Sequence, residues 1–154
     1  MRKRSKYRPK GVRLDNMAWL IQGMAALRHN QHAIDLKVKN HNALTEVVQG
    51  RGNREQIDVL IAAMNMSEAL YRVNPDLGLQ YSPEVKAAQD AIHSMGKRGI
   101  EKGRFLFTGP EMVAMNAGME VHDAQLEVCT IAELEKALIL VANEIRHKRA
   151  RPIA

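Results

Sequence analysis

A chain of 154 residues is long enough for one domain that buries about two-thirds of its unfolded surface around a single core. A hydrophobic content of 45% excludes a wholly disordered chain, and the single cysteine excludes an intrachain disulfide and the cysteine-based zinc motifs. The net charge of +6 conceals a partition: residues 1–13 hold seven basic side chains and no acid, the last nine hold four more and no acid, and the stretch between carries the other 12 bases with all 17 acids, a net charge of −5.

Two cationic arms on a mildly acidic body suit polyanions or acidic protein surfaces, and they say nothing about the fold. No run approaches the roughly 18 uninterrupted apolar residues of a membrane span. The basic start is not followed by the apolar region of a secretory signal, because Arg13, Asp15 and Asn16 come next. With Cys129 alone, the expectation is a cytoplasmic protein in a reducing compartment, without membrane contact.

In chain order, the first periodic segment begins at Asp15, a candidate N-cap. Met17, Leu20, Ile21, Met24 and Leu27 recur there at three- and four-residue steps, and Gly23 weakens the helix slightly. A second helix is expected over about 31–49, with Ile34, Val38, Leu44, Val47 and Val48 on a broad stripe, ending at Gly50-Arg51-Gly52. Asn53 followed by Gln56 has capping-box character and opens the clearest amphipathic run, Ile57, Leu60, Ile61, Met64, Leu70 and Tyr71. Asn74-Pro75 closes it, because the residue before proline disfavours helical geometry.

Ser82-Pro83-Glu84 reads as an N-cap, a proline at the first helical position and an acid facing the positive end of the dipole; Val85, Ala88, Ile92 and Met95 follow as its stripe. Gly96, Gly99 and Gly103 are expected to loosen the chain there, and Phe105-Leu106-Phe107 to form an extended connector. Thr108-Gly109-Pro110-Glu111 and Thr130-Ile131-Ala132-Glu133 are two further capping boxes. The first opens a helix to about Val128, the second one carrying Leu134, Leu138, Val141 and Ile145. Six helices and no strand predict an all-α, compact single-domain bundle with antiparallel neighbours. The divisions are a basic arm over 1–13, a helical domain over 14–147 and a basic tail over 148–154.

The chemistry-bearing patterns are few. The arm combines Arg2, Lys3, Arg4, Lys6, Arg8, Lys10 and Arg13, which can neutralise phosphates, with Tyr7, which can stack on a base. Arg146, Lys148, Arg149 and Arg151 form a second cationic set. Gly50-Arg51-Gly52-Asn53-Arg54-Glu55-Gln56 places Arg, Asn and Gln donors at a helix start, as a DNA-reading helix would, but a glycine turn before a capped helix in an ordinary bundle is the better account. Gly96-Lys97-Arg98-Gly99 matches the GxxG loop of KH domains, but without their strands a frayed basic helix end is the better account. His29, His32 and Asp35 share a helical spacing, and Glu120, His122, Asp123 and Glu127 gather acids near a histidine; neither completes a ligand set, so surface ion pairs are expected and neither metal nor cofactor. Cys129 sits among apolar residues and reads as a small core or boundary side chain. There is no Walker loop, nucleophile elbow or dinucleotide-binding glycine pattern, and a non-enzymatic role is expected.

SKYRPKGV (Ser5 to Val12), LKVKNHNALTEVVQG (Leu36 to Gly50), SEALYR (Ser67 to Arg72), FTGPEMVAMN (Phe107 to Asn116), EVHDAQLE (Glu120 to Glu127) and the EIRHK tail (Glu144 to Lys148) together resemble a group of small uncharacterised α-helical proteins of bacteriophages and prophages of Gram-negative bacteria. The resemblance spans nearly the whole chain and carries no functional residue with it. It implies a phage product acting in the host cytoplasm.

The leading expectation is therefore an accessory protein whose arms bind nucleic acid or a nucleoprotein complex. The alternative is a protein inhibitor of a host defence or transcription protein, an anti-defence or host-takeover factor, whose acidic body docks on its target through Glu111, Glu120, Asp123 and Glu127. A virion or assembly component, a homo-oligomer tied together by its arms, comes third.

Overall fold

The computed structural model describes residues 31–147, and the side chains from Ala33 onward. Five α-helices follow one another: α1 (Gln31–Val48), α2 (Arg54–Val73), α3 (Ser82–Lys102), α4 (Gly109–Val128) and α5 (Ile131–Arg146), with a 3-10 turn at Leu79–Tyr81. No strand occurs among the described residues. The bundle is all-α, and the segment expected to form a helix from Asp15 lies outside the described residues.

Three of the helix starts carry complete capping boxes. The Asn53 carboxamide accepts from the Glu55 amide at 2.8 Å while the Gln56 side chain accepts from the Asn53 amide at 2.9 Å. The Thr108 and Thr130 hydroxyls accept from the Glu111 and Glu133 amides, and both glutamates accept in return from the cap amides at 2.8 Å. Each pair satisfies two backbone donors that the first turn would otherwise leave unpaired. Ser82 behaves differently from expectation. The 3-10 turn runs straight into α3, so Tyr81 precedes the helix and Ser82 is its first residue, with no side-chain cap.

The glycines of α3 also depart from the reading as a loosened end. Gly96 and Gly99 are buried within a helix that continues to Lys102 and ends at Gly103, whose φ of 72° is the left-handed geometry that glycine adopts without strain. A side chain at Gly99 would run into the Phe105 ring, so the connector folds back onto the helix there. The GxxG segment is thus helix surface, not a loop that could clamp a nucleic-acid backbone.

α2 is the central helix. It packs against α1, α3, α4 and α5, and buries Ile57, Leu60, Ala63, Met64, Met66, Ser67, Ala69 and Leu70 around most of its circumference. One core cluster joins Leu44 and Val47 of α1, Leu60 and Met64 of α2, Ile92 and Met95 of α3, and Met115 and Met119 of α4. Close approach of α4 rests on Gly118, where an added Cβ would lie 2.5 Å from Ala88 and 2.8 Å from the Met64 sulfur. A second cluster joins Ala33, Met66, Leu70, Leu77, Leu126, Cys129 and Ala137.

The outer helices are only half covered. On α1 the buried face is Ala33, Asn40, Ala43, Leu44 and Val47, whereas Ile34, Val38 and Val48 of the expected stripe are exposed. On α5 only Ala137 is buried; Leu138 is 52% and Ile145 59% exposed. Both helices rest on α2, and a groove runs between them.

Candidate binding groove

The groove between α1, α2 and α5 measures about 490 Å³. Leu36, Lys39 and Asn40 form the α1 wall, Val59, Ala62, Ala63 and Met66 the α2 floor, and Ile131, Leu134, Glu135 and Leu138 the α5 wall, with His122 of α4 beneath. Its lining is mostly apolar with charge only from Lys39 and Glu135. That is the composition of a site that takes an apolar surface and orients it with few polar groups.

Two of those polar groups are buried and unpaired. Asn40 Nδ2 and His122 Nε2 have no hydrogen-bond partner, and their residues are 2% and 0% exposed. The state of the imidazole follows from its neighbours. Gln125 Nε2 donates to the Ser67 carbonyl at 3.0 Å and to the Leu77 carbonyl at 2.8 Å, which orients the amide with Oε1 as the acceptor. That oxygen takes the Ser67 hydroxyl at 2.6 Å and lies 3.4 Å from His122 Nδ1, so Nδ1 carries the proton and Nε2 is a bare acceptor. Burial pushes the His122 pKa down to about 4, outweighing the hydrogen bond to Gln125, which acts in the opposite direction. The imidazole is neutral at neutral pH.

Ser67, His122 and Gln125 do not form a nucleophilic arrangement. The Ser67 hydroxyl donates to the amide of Gln125 rather than to the imidazole, and all three side chains are sealed from solvent. They act as a buried polar tie between α2, α4 and the Leu77 turn. Cys129, also buried, has its thiol pushed up to about 12 by desolvation, far from the range of a nucleophilic thiolate.

Two of the three acids near His122, Asp123 and Glu127, are engaged as surface pairs, as expected from sequence, whereas His122 itself is core. Asp123 meets His41 at 2.7 Å and Glu127 meets Lys37 at 3.1 Å, both joining α4 to α1. Glu111 pairs with both terminal guanidinium nitrogens of Arg98, at 2.6 and 3.0 Å, and caps its own helix. The Arg98 hydrogen bond is the chief reason that the Glu111 carboxyl lies below the usual carboxylate range. Glu120 is exposed. Among the described residues no three of His, Cys, Asp and Glu gather closely enough to hold a metal ion. Of His29, His32 and Asp35, only the Asp35 side chain is described.

At the start of α2 the turn joins two helices of the bundle, and three of its four donors are engaged by the fold, whereas Arg54 is exposed. Arg51 makes two hydrogen bonds to Glu46, at 3.0 and 2.6 Å, the Asn53 side chain accepts from the Glu55 amide, and the Gln56 side chain accepts from the Asn53 amide. Of the two cationic sets, Arg146 is exposed at the end of α5, while Arg2, Lys3, Arg4, Lys6, Tyr7, Arg8, Lys10, Arg13, Lys148, Arg149 and Arg151 lie outside the described residues. No described helix is long and apolar enough to cross a membrane.

Sequence reasoning missed Asn40, Ser67 and Gln125. A signal for Gln125 exists: Met115, Met119, His122, Gln125 and Leu126 recur at three- and four-residue steps, so both polar residues fall on the inward face of α4. Comparison with protein-family models, curated proteins and solved structures finds no match.

Proposed function

We propose that the chain is a non-enzymatic accessory protein, of the phage type that its resemblance implies, binding nucleic acid or a nucleoprotein complex through its cationic ends. The observation that carries this reading is the charge partition against the described body. Residues 31–147 hold 16 acidic and 12 basic side chains, a net charge of −4, whereas the segments before and after them hold one acid and 11 bases, a net charge of +10. Several body cations are also committed to carboxylates: Lys37, Arg51, Lys86 and Arg98 each have a partner within 3.1 Å. Phosphate contact is therefore assigned to the ends, and mostly sequence-independent binding follows, because such contacts position a protein without reading bases.

Affinity for nucleic acid should then fall, per log unit of salt and per phosphate neutralised, by about 0.9 log units on duplex DNA and about 0.7 on a single strand. Replacing Arg2, Lys3, Arg4 and Lys6 with glutamine should weaken binding and flatten that slope. A slope unchanged by the replacement, or no binding at low salt, would reject the reading.

The alternative, direct capture of a host defence or transcription protein, draws support from a different feature. Three of its four candidate acids, Glu111, Asp123 and Glu127, are already paired within the fold, but Ile131, Leu138, Ile139 and Ile145 leave an apolar face on α5 for a protein partner. A stoichiometric complex with one host protein that survives nuclease treatment is the result that favours it.

A further inference from the structure

We propose that the groove between α1, α2 and α5 binds a small uncharged amphiphile, an apolar body whose alcohol or primary amide head accepts a hydrogen bond from Asn40 and donates one to His122. Three observations meet there. First, Asn40 Nδ2 and His122 Nε2 are without partners in residues 2% and 0% exposed, and both residues line the groove. A buried polar atom left unpaired forfeits its hydration, so a fold keeps few of them. Among the described residues the other such side-chain atoms are Glu84 Oε2 and Asp123 Oδ1, carboxylate oxygens outside the groove lining.

Second, the acceptor is held in place. The Ser67 and Leu77 carbonyls fix the Gln125 amide, and its Oε1 faces the imidazole Nδ1, so the ring presents a bare Nε2 on its opposite side. That nitrogen can only accept, and Asn40 Nδ2 can only donate. The next residues in the chain, His41 and Asp123, meet at 2.7 Å, so Asn40 and His122 belong to the same crossing of α1 and α4. A hydroxyl or a primary carboxamide brings both functions in one head, whereas a carboxylate has no donor and an ammonium no acceptor.

Third, the rest of the groove suits the rest of such a molecule. Leu36, Val59, Met66, Leu134 and Leu138 line a space of about 490 Å³, within the range of small-molecule sites. The charged lining residues, Lys39 and Glu135, are exposed, so charge stays in water and uncharged polar atoms lie inside. The apolar face of a helix, from a second copy or another protein, would cover the walls and leave both atoms unpaired. The inference goes beyond the nucleic-acid reading and does not depend on the cationic ends.

Titration of the full-length, isotope-labelled protein with n-octanol, followed by NMR, tests it. Saturable binding with a Kd below about 1 mM is expected, with the Asn40 carboxamide and His122 imidazole nitrogens shifting together. Heptyl methyl ether, equal in size but unable to donate, should bind at least about tenfold more weakly, because it leaves Nε2 unpaired. Asn40→Leu should weaken alcohol and ether alike, by about tenfold each, since both use the Asn40 donor, and leave their ratio unchanged. Equal affinity of the unmodified protein for alcohol and ether overturns the proposal, as does octanol binding undiminished in Asn40→Leu. Octanoate binding more tightly than octanol would seat the head at Lys39 and also overturns it. So does the absence of a saturable shift of the two side chains up to the solubility of octanol. Groove shifts that grow with protein concentration alone, alongside a dimer mass in light scattering, give the groove to a second copy and reject the amphiphile.

Discussion

At the scale of single residues, His122 is where solvent acidity reaches the core. Its imidazole is buried and neutral, with a pKa near 4 in the fold, while an unfolded chain binds the proton near the ordinary value of 6.5. Between those values the unfolded state holds more protons, so acid favours unfolding. Stability contributed by the neutral imidazole is complete above about pH 6.5 and is lost progressively as pH falls toward 4. The whole shift corresponds to about 3 kcal/mol, of which about 2 kcal/mol is lost between pH 7 and 4.5. Urea titrations at pH 7 and 4.5 should show that loss, and His122→Gln, which keeps an amide facing Gln125 but cannot take up a proton in this range, should remove most of it. Glu46 and Glu111 have depressed carboxyl pKa values and begin to lose their contribution near their ordinary 4.5, but they do so in both proteins and drop out of the comparison with His122→Gln. Parallel pH dependences for the two proteins would show that His122 is not the responsive group.

At the scale of elements, what could be read from sequence was the local chemistry of helix ends. Asn53, Thr108 and Thr130 cap as their spacing predicts, because a capping box needs only side chains three residues apart. Thr108→Ala should therefore cost about 1 kcal/mol in urea unfolding at unchanged m, and a loss below about 0.3 kcal/mol would mean that the Arg98–Glu111 pair holds the start of α4 without the cap. Features set by neighbours were not legible. Ser82 loses its cap role to the turn before it, and Gly96 and Gly99 stay helical because the returning Phe105 covers Gly99. Ile34, Val38, Leu138 and Ile145 lie on periodic stripes yet remain exposed, because periodicity marks a face and not what covers it. The groove was hidden for the same reason: its walls come from segments about 90 residues apart, and His122 carried the pattern of both a surface pair and a core position.

At the scale of the whole molecule, a neat division of labour follows from where the charges are committed. Arg51 and Arg98 hold turns together through Glu46 and Glu111, while Lys148, Arg149 and Arg151 stand in a stretch without a single acid. If the ends make the polyanion contacts, Arg51→Gln and Arg98→Gln should leave both affinity and salt slope for nucleic acid unchanged, although Arg98→Gln costs stability by releasing Glu111. Neutralising Lys148, Arg149 and Arg151 together should instead reduce the slope by about 2.7 for duplex DNA if each meets one phosphate. The two sets of variants differ in which part of the molecule they discharge, and the salt dependence counts contacts rather than merely registering weakened binding. A slope that falls with the body substitutions and not with the tail would transfer the interface to the turns at Gly50–Asn53 and Gly103–Thr108, in and around which Arg51, Arg54, Lys102 and Arg104 are exposed.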